Sequence, residues 1–171
     1  FRRETWRVGE SAFAVLLLLI GTSMLDGFYG SYYNLNQLVF DAFDAPVSII
    51  GIFFGASYAV NATAYIAADF FSSRFGKRNT MLGSMLIEAG LFMILPWFAS
   101  NPLCLFGLSM VLCFLPEVVY ITSENLIQDA IADDLRATIL SVASLVRALF
   151  SAMFFSIFGY VLGLYPIQIA L

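Results

Sequence analysis

Apolar residues gather in five long stretches, from about Ala12 to Phe40, Val47 to Phe71, Thr80 to Phe98, Leu103 to Asn125 and Ala137 to Leu162. A sixth begins near Pro166 and runs to Leu171, where it is cut off. A bilayer core needs ~20 apolar residues in a helix. Stretches of this length without amphipathic patterning are spans rather than core helices of a soluble domain. The expected fold class is all-α, a polytopic transmembrane helix bundle. Composition agrees: 61% of the residues are hydrophobic and 12% charged, against about 45–50% and about 25% in soluble domains.

The breaks between stretches give direction. Ser72–Arg78, between spans two and three, holds Arg74, Lys77 and Arg78. Basic residues between spans mark the cytoplasmic side, and Gly76 permits the tight reversal a short connection needs. Arg2, Arg3, Arg7 and Arg136 fall on the same side by alternation, and the outer connections carry no basic residue. The N-terminus is therefore expected in the cytoplasm of a plasma-membrane protein. Residues 1–11 read as an interfacial lead-in with Trp6 at headgroup level. The outer connection Asp41–Pro46 is acidic, with Pro46 suited to a first helical turn. The chain starts at Phe1 and stops within an apolar run, so it reads as a piece of a longer protein.

Polar groups inside the spans are the candidate chemistry. In span one Asp26, Tyr29, Tyr33 and Gln37 recur at i, i+3, i+7 and i+11, one face of a helix. Tyr32, Asn34 and Asn36 lie nearby. Such a face must look at protein or water. It is a cavity wall, or it is interhelical packing topped by an aromatic belt. Asp26 has no obvious cation within the chain. Asn61 in span two reads as an interhelical amide, and Asp69 as a partner for Arg74. Glu88 sits inside span three. Pro116 removes one backbone hydrogen bond from span four and is expected to kink it, beside Glu117. Glu124, Asp129, Asp133 and Asp134 crowd the inner end, where Asp133 or Asp134 can cap the next helix. Arg147 lies ~15 Å into span five at about 1.5 Å per residue. It needs a carboxylate, and depth along the helices nominates Glu117 (~12 Å), with Glu88 as competitor. Gly21, Gly27 and Gly30, the series Gly51, Gly55 and Ala59, and the pair Gly159 and Gly163 offer small-residue contacts. Cys104 and Cys113 share one helix and cannot pair with each other. The chain has no His, which removes imidazole metal sites. No metal or other cofactor and no nucleic-acid partner is expected.

Arg74-Phe75-Gly76-Lys77-Arg78 resembles the loop motif of the major facilitator superfamily, roughly Gly-x-x-x-Asp-Arg-x-Gly-Arg-Arg. Asp69 stands at the motif's Gly and Ser73 at its Asp, as in the eroded second copy of the motif. Arg136-Ala137-Thr138-Ile139-Leu140-Ser141 is similar to the opening of that family's eleventh helix, which makes the Pro116 segment the tenth. The resemblance implies the C-terminal six-helix half, helices seven to twelve with the last truncated. It implies alternating access against a missing N-terminal half. It places spans one and four, with Asp26, Tyr29, Tyr33, Gln37 and Glu117, on the solute pathway.

The expected function is secondary active transport of a small organic solute, coupled to protons and carried out in the bilayer. Buried carboxylates bind and release protons; the candidates are Asp26, Glu88 and Glu117, with Asp26 and Glu117 preferred by position. The tyrosines, Asn34 and Gln37 would stack on and hydrogen-bond the solute, and Arg147 would switch partners. The alternative is a transporter-like sensor or assembly subunit that moves nothing. An enzyme would need a convergent nucleophile, base or metal set, and none is visible, so none is expected.

The topology has a direct test. Cysteine placed at Ser73 should react only with reagents that cross the membrane. Labelling by an impermeant reagent from outside would reverse the orientation.

Overall fold

The computed structural model describes residues 8–42, 44–98, 101–131 and 133–165. The expected lead-in residues Arg2, Arg3, Trp6 and Arg7 and the truncated sixth span, 166–171, lie outside the described residues. Five helices follow in order: α1 (Val8–Ala42), α2 (Val47–Phe75), α3 (Lys77–Phe98), α4 (Pro102–Ala130) and α5 (Asp133–Leu164). The fold is all-α, and each helix is long and apolar enough to cross a membrane. That length and composition make the chain an integral membrane protein.

The helices outrun the apolar stretches because polar ends stay helical beyond the hydrocarbon. The clearest case is Ser72–Arg78, which is not a loop. Ser72–Phe75 complete α2, Lys77 and Arg78 open α3, and the connection is Gly76 alone. Gly76 has φ 84° and ψ 145°, donates its amide to Ser72 O at 3.0 Å and accepts from Thr80 N at 3.0 Å. One residue thus ends one helix and begins the next. Asp69 and Arg74 form no ion pair among the described residues. Five positions apart, they face different sides of α2; three or four would align them.

The other connections are similarly short. Asp44, at φ 54°, donates to Asp41 O, and Ala45 donates to Phe40 O, both at 3.0 Å. Pro46 stands one place before α2, as its cap residue. Asn101 caps α4 by accepting from the amides of Leu103 (3.0 Å) and Cys104 (3.3 Å), with Pro102 at the first helical position. Asp133 opens α5 and pairs with Arg136 at 2.7 Å; the side chain of Asp134 lies outside the described residues. α4 remains one helix through Pro116.

Successive helices alternate in direction, and α4 is the centre. It packs against α1, α2 and α3, whereas α5 packs chiefly on α1. Near the α1–α2 and α3–α4 turns, Tyr32, Phe40, Phe53, Leu95, Leu105 and Leu112 form the largest core cluster. Towards the other end, Leu19, Ile127 and Ala143 join α1, α4 and α5. Ala64 and Ala68 of α2 close on Val118 of α4. The outward faces carry Ile52, Ile66, Leu86, Met93, Leu145 and Leu149, all exposed. Lipid covers such faces without penalty, so helix association depends on close packing and polar pairs.

Small residues mark one close approach. A Cβ on Gly27 would lie 2.7 Å from Phe150 Cβ and 2.8 Å from Ser151 N, so α1 and α5 touch backbone to backbone there. Ser31 Oγ donates to Gly27 O (2.8 Å) and approaches Ser151 O (3.2 Å) across the same contact. No atom lies within 4 Å of a Cβ built at Gly21, Gly30, Gly51, Gly55, Gly159 or Gly163. Those small residues do not pack helices within the described chain.

The Gly76 connection is open to substitution. An added Cβ meets no atom within 4 Å, so Gly76→Ala isolates the backbone cost. That conformation is essentially reserved for glycine and costs about 1–3 kcal/mol otherwise. The purified variant should melt at a lower temperature than the parent; an unchanged midpoint would show that the turn relaxes at no cost.

Candidate functional site

The site is built around Arg147, in the middle of α5. Its Nε lies 3.2 Å from Asp26 Oδ2 on α1, and its Nη2 lies 3.3 Å from Glu124 Oε1 on α4. The guanidinium carbon stands 4.4 Å over the ring of Tyr120, also on α4, a cation–π contact that suits a partly desolvated arginine. The side chains of Arg147, Asp26 and Glu124 retain 22, 32 and 27% of their exposure. One cation therefore joins three helices.

Asp26 thus has a cation within the chain, contrary to expectation. The expected partner Glu117 forms no ion pair with Arg147; nor does Glu88. Side-chain direction explains the difference. Arg147 and Glu117 sit at nearly equal backbone depth from the α4–α5 turn, ~21 and ~20 Å, and Glu124 at ~9 Å, at about 1.5 Å per residue. Helical side chains lean toward their own N-terminus. α5 starts at that turn, so Arg147 leans toward it. α4 ends there, so its carboxylates lean away from it. Glu124 and Arg147 converge, while Glu117 and Arg147 diverge. Glu117 is half-buried with Tyr65 of α2 beside it.

Asp26 and Arg147 line two spaces. On one side is a small cavity of ≈10 Å³, lined by Thr22, Leu25, Asp26, Glu88, Pro116, Val119, Tyr120, Ser123 and Arg147. That volume is about the smallest that holds one water. On the other side is an open groove of ≈360 Å³, lined by Asp26, Tyr29, Gly30, Tyr33, Asn61, Ser144, Arg147, Ala148 and Ser151. Its size falls within the range of small-molecule sites.

The predicted polar face of α1 divides accordingly. Asp26, Tyr29 and Tyr33 line the groove. Tyr33 hydrogen-bonds Ser57 Oγ at 3.0 Å and packs edge-on to Phe54. Tyr29 is buried, its hydroxyl without a hydrogen-bond partner. Asn34 is exposed and donates to Gly30 O of its own helix at 2.6 Å. Gln37 is exposed, and neither residue lines the two spaces. Asn61 is oriented to donate to Ser57 O (3.2 Å) and Cys113 O (3.1 Å), tying α2 to α4 from within the groove wall.

The basic motif lies apart from this site. Lys77 pairs with Asp129 at 2.5 Å, joining the α2–α3 turn to the end of α4. Arg136 pairs with Asp133 and reaches Gln128 O at 3.4 Å. Asp69, Arg74, Gly76 and Arg78 line neither space of the Arg147 site.

No protein-family model, curated protein or solved structure matches the chain.

The geometry generates a mutant cycle. Removing one partner of a buried pair costs about 3–5 kcal/mol, and the residual exposure here places these pairs at the low end. Arg147→Met, which leaves two carboxylates facing each other, should lower the melting temperature most. Adding Glu124→Gln should restore part of the loss, while adding Glu117→Gln should be nearly additive. Additive losses for Arg147 and Glu124, with coupling to Glu117, would overturn the assigned partners.

Proposed function

We propose that this chain is part of a secondary active transporter that moves a small organic solute by alternating access, coupled to protons. The observation that carries the reading is the partly buried Arg147, held by carboxylates from two other helices and facing an aromatic-lined groove. Intramembrane charges are costly and mark substrate and ion pathways. A purely structural pair needs no adjoining space of ligand size.

In this reading the solute lies in the groove against Tyr29 and Tyr33, within reach of Asn61, Ser144 and Ser151. Asn34 and Gln37 lie farther along α1 and meet the solute as it enters or leaves. Asp26 contacts both the groove and Arg147. A proton on Asp26 weakens its hold on Arg147 and leaves Glu124 as the remaining anion. The α1–α5 junction is then free to shift relative to α4. Glu117 is a second proton carrier, on the same helix as Glu124. Lys77 and Asp129 form a latch at the end where the helices would part.

The resemblance of Arg74, Gly76, Lys77 and Arg78 to the major facilitator loop motif supports membership of that superfamily, as its C-terminal half. The one-sided basic residues support a plasma-membrane protein with its N-terminus in the cytoplasm. The partner half of the site then comes from an N-terminal six-helix bundle.

Transport by the full-length protein in liposomes tests the reading. With an imposed pH gradient, a panel of amphipathic solutes, beginning with ethidium and a nitrophenyl glycoside, should include at least one that accumulates. Asp26→Asn should abolish that accumulation while retaining expression and most of the thermal stability. Absence of gradient-driven movement across the panel, with no counterflow, would favour a sensor or assembly subunit.

A further inference from the structure

Glu88 of α3 is the most deeply buried carboxyl among the described residues, and the Arg147 network leaves it without an ion-pair partner. It is 5% exposed, near the middle of its helix. It makes no hydrogen bond and no ion pair among the described residues. Arg147 is committed to Asp26 and Glu124. Asp26, which faces the same cavity, carries a charge of the same sign.

Two hydroxyls of the cavity beside Glu88 present acceptors. Thr22 Oγ1 gives its proton to Leu18 O at 2.7 Å, and Ser123 Oγ gives its proton to Tyr120 O at 2.8 Å. Each hydroxyl is left with lone pairs. The titratable and charged groups facing the cavity are Asp26 from α1, Tyr120 from α4 and Arg147 from α5. Glu117 and Glu124 of α4 do not line it, and no residue of α2 does. The Tyr120 hydroxyl has Glu124 and Arg147 as its neighbours. No donor among the described residues bonds to Glu88, and Arg147, the cation of the cavity, is ion-paired with Asp26 and Glu124, whereas a neutral acid finds acceptors. Buried ionised groups without partners neutralise.

We propose that Glu88 is a proton-binding site, held as the neutral acid while Arg147 is paired, and that the one-water cavity connects it to Asp26. The transfer balances simply. Glu88 releases its carboxyl proton to the oxygen of a water in the cavity, and that water gives one of its own protons to Asp26. Glu88 becomes the anion, Asp26 the acid, and the water is unchanged. Negative charge has moved from α1 to α3, with Arg147 lining the same cavity. What the proton drives rests on the transporter reading; its presence at Glu88 does not.

Infrared difference spectroscopy on the full-length protein in lipid nanodiscs tests the site. At neutral pH a protonated-carboxyl stretch should appear above the amide band, be lost in Glu88→Gln and shift in Glu88→Asp. It should persist in Glu117→Gln. Because Gln imitates the neutral acid, Glu88→Gln should melt at or above the parent's temperature. A band indifferent to Glu88→Gln, no band at all, or a large fall in melting temperature would overturn the proposal. A Glu88 band in a protein that moves no solute would uphold the proton site while removing the transporter reading.

Discussion

A guanidinium at the midplane of an apolar bundle constrains everything near it. Lipid cannot solvate it, so carboxylates must come to it. Arg147 reaches Asp26 on α1 and Glu124 on α4 and lies over Tyr120. α5 packs chiefly on α1, where Phe28 meets Phe154 and Phe158, and most of its other surface faces outward. The Arg147–Glu124 pair ties it to α4 as well. The bundle is accordingly asymmetric, with α4 packed on three sides and α5 packed on one and joined to α4 by charge.

That crossing sets the precision of the pairs. Gly27 follows Asp26 directly, and its missing side chain lets α1 meet the backbone of α5 at Phe150 and Ser151. Phe150 lies three positions beyond Arg147, so the contact lies within a helical turn of the charge. Ser31 adds its hydroxyl to the same seam. Backbone contact holds α1 and α5 at a separation where a short aspartate reaches the arginine. The small residue and the acidic one are thus a single structural unit in sequence order.

Much of this fold was legible in the sequence. The order and approximate length of the first five spans followed from apolar runs, because a bilayer demands them. Helix ends were less legible: Ser72–Arg78 is polar, and polarity alone does not separate a loop from helix ends outside the hydrocarbon. The division between Asp26, Tyr29 and Tyr33 in the groove and Gln37 beyond it was not visible either. An even helical face says nothing about where its neighbours stop. The partner of Arg147 was missed because depth was counted along backbones. Antiparallel helices send their side chains in opposite directions along the membrane normal, which favours Glu124 over Glu117. Glu124 was hidden in sequence among Asp129, Asp133 and Asp134; only its placement seven residues beyond Glu117, two turns along the same face, set it apart.

The two carboxylates on Arg147 are unequal in what surrounds them, and that inequality decides which can change. Glu124 lines neither adjoining space, whereas Asp26 lines both. A proton or a solute can reach Asp26 without first disturbing the packing of α4. Glu124 can keep the arginine from being stranded while Asp26 is neutral. A single-carboxylate site would have no such reserve: every neutralisation would leave a bare cation in the bundle, at the cost that made the pair necessary. Two anions around one cation make one of them dispensable for a moment. The dispensable one sits on α1, facing the groove, with Glu88 across the small cavity behind it.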